Sequence, residues 1–210
     1  MKMATVWTAA VCTLGVPVWA ASCESLAGLS LPGTKITLAQ EVSAGAFSQP
    51  DGGRSGAYNN IPEFCRVAAT LTPSSDSDIK VEVWLPAAGW NRKFQAVGNG
   101  GWAGVISYPA MAEAVKAGYA TASTDTGHAT NGGSFALGHP EKLIDFAWRS
   151  EHEMTVKAKA IIRAFYGAAP QRSYWNGCST GGRQALRSPR SSDSTCCPAW
   201  ACSGCGCAWT

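Results

Sequence analysis

The chain has 210 residues, 46% of them hydrophobic and 15% charged, enough for one domain with a buried core and too apolar for wholesale disorder. Its net charge of +3 is small and scattered, and no Lys/Arg run offers the electrostatic footprint of a nucleic-acid binder.

In chain order, the first segment reads as a secretory signal over residues 1–22. Lys2 supplies a positive start, Ala4 to Trp19 an apolar stretch, and Ala20, Ala21 and Ser22 the small residues of a cleavage site. The stretch is shorter than the roughly 20 apolar residues of a membrane span. The expected product is exported, secreted or periplasmic, without a membrane partner after cleavage. Disulfides persist in such compartments.

From Cys23 to about Pro73 the pattern is irregular, with turn signals at Leu31-Pro32-Gly33 and Gln49-Pro50-Asp51-Gly52-Gly53. Short strands and loops are expected there. Cys23 and Cys65 are the only cysteines between the signal and Cys178, so they are expected to pair.

Alternation over Asp78–Leu85 predicts a half-buried strand, closed by Pro86. Lys93–Val97 predicts a second, ending in the run Gly98-Asn99-Gly100-Gly101-Trp102-Ala103-Gly104. A helix is expected from about Pro109 to Ala117, and a doubly buried strand of small residues from Tyr119 to Asp125. A loop then runs to about Pro140. Met154, Ala158, Ile161 and Phe165 form one apolar stripe, predicting a helix from about Ser150 to Tyr166 that Gly167 stops. Arg172–Asn176 is the next strand, and a helix should follow Ser179. Strands alternating with helices predict an α/β fold with a largely parallel sheet.

Gly177-Cys178-Ser179-Thr180-Gly181 fits G-x-S-x-G, between a predicted strand and a predicted helix. A nucleophile elbow needs that context, with small flanking residues that let the backbone turn sharply and expose the Ser oxygen. Ser179 is therefore the candidate nucleophile of an α/β-hydrolase fold. Oxyanion stabilisation requires backbone N–H groups, expected from Thr180 and from Gly100 or Gly101 in the glycine run. A Ser hydroxyl also needs a His base and an acid to orient it, in the chain order Ser, acid, His. His128, His139 and His152 all precede Ser179, and Asp193 is the only carboxylate after it. His128 could shape the substrate site or be a satisfied loop residue; His152 is expected to be structural.

The chain resembles the tannase and feruloyl esterase family of exported esterases. The matching pieces are Phe64-Cys65-Arg66-Val67, Val83-Trp84-Leu85-Pro86, Trp90-Asn91, the run Gly98 to Gly104, Thr124-Asp125-Thr126-Gly127-His128, Glu153-Met154-Thr155, Tyr166-Gly167, and Gly177-Cys178-Ser179-Thr180-Gly181-Gly182-Arg183-Gln184-Ala185-Leu186. They span about residues 23–186, the expected N-terminal part of the catalytic domain. The resemblance implies hydrolysis of esters of hydroxyaromatic acids such as gallate or ferulate, through an acyl-enzyme on Ser179. It also implies a lid domain that binds calcium and recognises the acid, and a disulfide from the Cys beside the nucleophile to one beside the catalytic His; Cys178 is the residue that matches.

The lid with its calcium ligands, the triad acid and His, and the cysteine that the resemblance pairs with Cys178 have no counterpart in the 210 residues. No cofactor is expected in this chain, whose fold should be truncated after the elbow and whose turnover should be lost. With the neighbouring strands absent, the strand at Arg172 should present an open edge. Residues 187–210 carry five of the nine cysteines and show no periodicity, as in a sequence read out of frame. A different class of reading takes Cys196, Cys197, Cys202, Cys205 and Cys207 as zinc ligands; irregular spacing and the lack of His argue against it. Another takes the chain as a non-catalytic binding fragment.

Overall fold

The computed structural model describes residues 21–50, 52, 58–187 and 206–209. Residues 1–20 of the expected signal and the tail cysteines Cys196, Cys197, Cys202 and Cys205 lie outside the described residues.

A seven-stranded mixed sheet organises the chain, with spatial order β1-β2-β3-β5-β4-β6-β7. The strands are β1 (Thr34–Val42), β2 (Phe64–Leu71), β3 (Ile79–Pro86), β4 (Lys93–Val97), β5 (Ala120–Thr124), β6 (Arg172–Asn176) and β7 (Gly206–Trp209). The helices are α1 (Tyr108–Lys116), α2 (Pro140–Ile144), α3 (Ser150–Tyr166) and α4 (Thr180–Arg187).

The sheet is not largely parallel. Only β5/β4 and β4/β6 run parallel, whereas β1/β2, β2/β3, β3/β5 and β6/β7 are antiparallel. The N-terminal strands follow one another without helical crossovers, and a parallel pair needs such a crossover. The expectation of short strands before Pro73 is also corrected. β1 has nine residues and β2 eight, with a register shift between Ile36 and Leu38. Most of β1 is at least partly exposed, which weakens its hydrophobic alternation as a signal.

Each sheet face is covered by its own core. On one side Val67, Val81, Leu85, Phe94 and the small Ala120 and Ala122 pack beneath α3, whose stripe Met154, Ala158, Ile161, Ile162 and Phe165 is buried. On the other, Phe64, Trp84 and Val97 pack with Phe47, Tyr58 and the α1 residues Met111 and Val115. β5 is buried throughout, as the run of small residues required. Cys23 and Cys65 are joined by a disulfide that closes a 42-residue separation and ties the start of the described chain to β2.

The predicted loop up to Pro140 contains a 3-10 turn at Gly133–Ala136, and the helix expected from Ser150 is preceded by α2 and a π-helical turn, Asp145–Arg149. β6 does not present an open edge: Gly206–Trp209 pairs with Ser173–Asn176. Among the described residues, no helix is long and apolar enough to cross a membrane.

Candidate active site

β6 ends at Asn176 and α4 begins at Thr180, leaving Gly177, Cys178 and Ser179 to reverse the chain. Ser179 holds φ +57°, the left-handed region that a side-chain-bearing residue enters at a steric cost. Its side chain is exposed, as is Cys178. The turn is closed by Gly181 N–H donating to the Cys178 carbonyl (2.9 Å) and Gly182 N–H donating to the Ser179 carbonyl (3.0 Å). A strained polar residue at the tip of a strand–helix turn is the geometry in which a hydroxyl stands clear of its own backbone.

Glycine is required around this turn by contact rather than by φ alone. A Cβ on Gly177 would stand 2.8 Å from Gly181 backbone atoms and from Trp175 Nε1. One on Gly181 would meet the Asn99 carbonyl oxygen at 2.9 Å, and one on Gly98 would meet Gly181 Cα at 2.9 Å. The first turn of α4 thus lies against the Gly98–Gly104 loop, backbone on backbone. Trp175, buried on β6, secures the same turn by donating its Nε1–H to the Gly181 carbonyl (2.8 Å).

Gly100 and Gly101 are exposed, and a Cβ at either would meet nothing within 4 Å. Among the described residues, the amides of Gly100, Gly101 and Thr180 donate to no backbone oxygen. The structure therefore places the expected N–H groups on two segments in direct contact, with donors to spare.

Residues that sequence reasoning did not single out hold those segments together. Asn99 and Gln184, both buried, exchange two hydrogen bonds: Gln184 Nε2 donates to Asn99 Oδ1 (2.8 Å), and Asn99 N–H donates to Gln184 Oε1 (3.2 Å). Arg183 donates to the Ala147 and Phe146 carbonyls of the π-helical turn (2.7 and 3.2 Å). Such turns leave helix carbonyls without their usual partners, and the guanidinium takes them up. A lone Asn among glycines was the available clue; its partner, 85 residues away, had none.

Behind α4 lies Glu151 on α3, fully buried, accepting from Ser150 Oγ (2.9 Å) at one carboxylate oxygen while the other has no hydrogen-bond partner among the described residues. Burial pushes its pKa up to about 7, against the opposing effects of its hydrogen bonds and of Arg183. Asp125, at the end of β5, is also raised to about 7 by burial, although its Oδ1 accepts from the amides of Lys80 (2.9 Å) and Gly127 (2.8 Å).

None of the three histidines is recorded in a hydrogen bond with Ser179. His128 is buried; Nε2 contacts the Trp102 carbonyl (2.9 Å), Nδ1 contacts Thr126 Oγ1 (3.2 Å), and the ring stacks on Phe135 at 3.8 Å. Its ring nitrogens are thus both engaged, and it also lines the larger of two clefts. His139 pairs with Asp76 and His152 lies edge-on to Trp148. Asp193 is outside the described residues. Two clefts, of about 330 and 380 Å³, flank Asp125 and Lys80, and Ser179 lines neither. Among the described residues no group of three or more His, Cys, Asp or Glu side chains could hold a metal ion.

A family profile described as "Tannase and feruloyl esterase" matches residues 65–191. The chain is 45% identical over 168 residues to an uncharacterized esterase of Xanthomonas campestris pv. campestris, covering 79% of this chain and 29% of that protein. It is 41% identical over 156 residues to a probable feruloyl esterase B-1 of Neosartorya fischeri, covering 74% of this chain and 29% of that one. The crystal structure of feruloyl esterase B from Aspergillus oryzae superposes with a TM-score of 0.71 at 36% identity, over 77% of this chain and 32% of that one. The chain thus spans about a third of the length of the proteins it matches.

Proposed function

We propose that this chain, which belongs to the tannase and feruloyl esterase family, carries the nucleophile-bearing part of a serine carboxylic ester hydrolase acting on esters of hydroxyaromatic acids such as ferulate. The observation that carries this reading is Ser179: exposed, at φ +57°, between β6 and α4, and within the matched residues. Ser179 Oγ attacks the ester carbonyl, the oxyanion is received by the amides of Thr180 and of Gly100 or Gly101, and the alcohol leaves to give an acyl-enzyme. The Cys23–Cys65 disulfide supports export to an oxidising compartment.

The contacts of His128, His139 and His152 lie elsewhere, so none of them takes the Ser179 proton. On this reading the 210-residue chain by itself acylates slowly, at alkaline pH, and deacylates more slowly still, because both steps want a general base. Turnover of methyl ferulate or methyl gallate by this chain is expected not to rise above background.

The acyl group should therefore accumulate. Incubating the chain with p-nitrophenyl ferulate at alkaline pH should release p-nitrophenolate and leave a feruloyl ester on Ser179, found by peptide mass spectrometry and absent from Ser179→Ala. Feruloylation spread equally over other serines, or persisting in Ser179→Ala, would overturn the assignment.

A further inference from the structure

We propose that Asn99 and Gln184 are a positioning pair that sets the spacing between the Gly98–Gly104 loop and the Ser179 turn. The inference rests on the reading of Ser179 as nucleophile and deepens it with two residues that touch neither the ester nor the reacting oxygen.

The geometry is that of a clamp. Across 85 residues of sequence the Gln184 carboxamide makes both bonds, its Nε2 donating to Asn99 Oδ1 and its Oε1 accepting from the Asn99 backbone N–H. Asn99 is also anchored from behind, where its Nδ2 donates to the carbonyls of Val105 and Thr124 (both 3.3 Å), at the far end of the loop and at the end of β5. Asn99 thus joins three points, and Gln184 attaches all of them to α4 one turn after Thr180.

The clamp works at close range because the glycines allow it. Gly98 and Gly181 bring the two backbones into contact, and Gln184 Oε1 would stand 2.5 Å from a Cβ at Gly98. The spacing is thus limited from one side by contact and from the other by the hydrogen bonds. An amide donor misplaced by about an ångström forfeits much of its effect on a developing oxyanion. Gly100 and Gly101 cannot set that distance themselves, since open space surrounds both. Glu151 and Arg183 are the charged groups that flank Gln184: Glu151 also accepts from the Gln184 side chain and so ties it to α3, while Arg183 holds α4 against the π-helical turn, and neither bonds the loop.

Residue-resolved amide exchange by NMR on the full 210-residue chain tests the pair without any reaction. The Asn99 amide should exchange at least about tenfold more slowly than those of Gly100, Gly101 and Thr180, since it alone among them is bonded. Gln184→Met keeps the side chain's length and bulk while removing both bonds to Asn99 and the polar contact with Glu151. In that variant Asn99 should lose its protection. The limiting rate of Ser179 acylation by p-nitrophenyl ferulate should fall about tenfold or more, the effect of a misplaced oxyanion donor, with the half-saturating ester concentration unchanged. An unprotected Asn99 amide in the parent chain overturns the proposal, and this measurement stands even if Gln184→Met does not fold. Acylation at the parent's rate in a folded Gln184→Met overturns it too. A parent chain in which Ser179 is never acylated, while Asn99 is protected, overturns instead the nucleophile reading on which the positioning role rests.

Discussion

Glu151 and Ser179 depart from ordinary residue behaviour in opposite ways. Ser179 is strained and exposed; Glu151 is unstrained and fully buried, with one oxygen unpartnered among the described residues. A carboxyl in that setting favours its neutral form, hence its rise from 4.5 to about 7. The sign follows by linkage. An acid whose folded pKa is raised makes its contribution fully below the unfolded value and loses it as pH climbs through the folded one. Stability should therefore decline between about pH 4.5 and about pH 7, and Asp125, raised for the same reason, acts in the same direction. Glu151→Gln removes one of the two contributions. Urea unfolding of parent and variant at pH 5 and pH 7.5 should show the parent losing ground to Glu151→Gln by up to roughly 3 kcal/mol across that interval. A difference that does not move with pH would mean that Glu151 is ionised in the folded chain.

At the scale of elements, the loop after β4 is held at both ends. Asn99 fixes its start, while Gly104 N–H donates to the Thr130 carbonyl (3.2 Å) and His128 bonds the Trp102 carbonyl. The approach is so close that a Cβ on Gly104 would fall 2.0 Å from the His128 carbonyl oxygen. Trp102 then stacks on Phe146 of the π-helical turn at 4.5 Å, and Arg183 of α4 lies over the same ring at 5.0 Å. Loop, β5 end, π-helical turn and α4 thus form one ring of contacts around the site. If His128 is a structural member of it, His128→Ala should cost about 2 kcal/mol in urea unfolding, from lost packing and hydrogen bonding. The dependence of Ser179 acylation on pH should keep its shape. Loss of a step near neutral pH on that substitution would instead make His128 the base.

For the whole molecule, the decisive features are the edges of the sheet. Its order runs from β1 at one side to β7 at the other, so β6 is an interior strand only because Gly206–Trp209 lies against it. An uncovered β6 would offer a row of unpaired backbone groups next to apolar residues, a template for another chain. Removing residues 188–210 should accordingly shift the chain toward larger species in size-exclusion chromatography than the full 210 residues form. A truncated chain that elutes as a monomer would show that β7 is dispensable as a cover.

Much of this architecture is written locally. The strand at Ile79–Pro86, the small residues in Ala120–Thr124, the stripe on Ser150–Tyr166 and the turn at Ser179 each depend on neighbours within a few residues, and each element is found in place. β3, however, is not half-buried as its alternation predicted but buried on both faces at every position except Lys80, because each face of the sheet is covered. The disulfide partners were legible for an equally simple reason: only two cysteines lie between residue 22 and Cys178. Strand direction was not, because a strand's side-chain period is the same whether its neighbour runs parallel or antiparallel. Nor was the length of β1, whose exposed residues blur the apolar alternation. The pairing of Asn99 with Gln184 and the burial of Glu151 were equally hidden. Polar side chains carry no periodic mark of their partners, and only the folding of β4 against β6 brings the loop after one strand to the helix after the other. The sequence by itself determined which oxygen stands at the turn. Tertiary structure decided what surrounds it, because hydrogen bonds and close backbone approach depend on distance in space, which chain order does not encode.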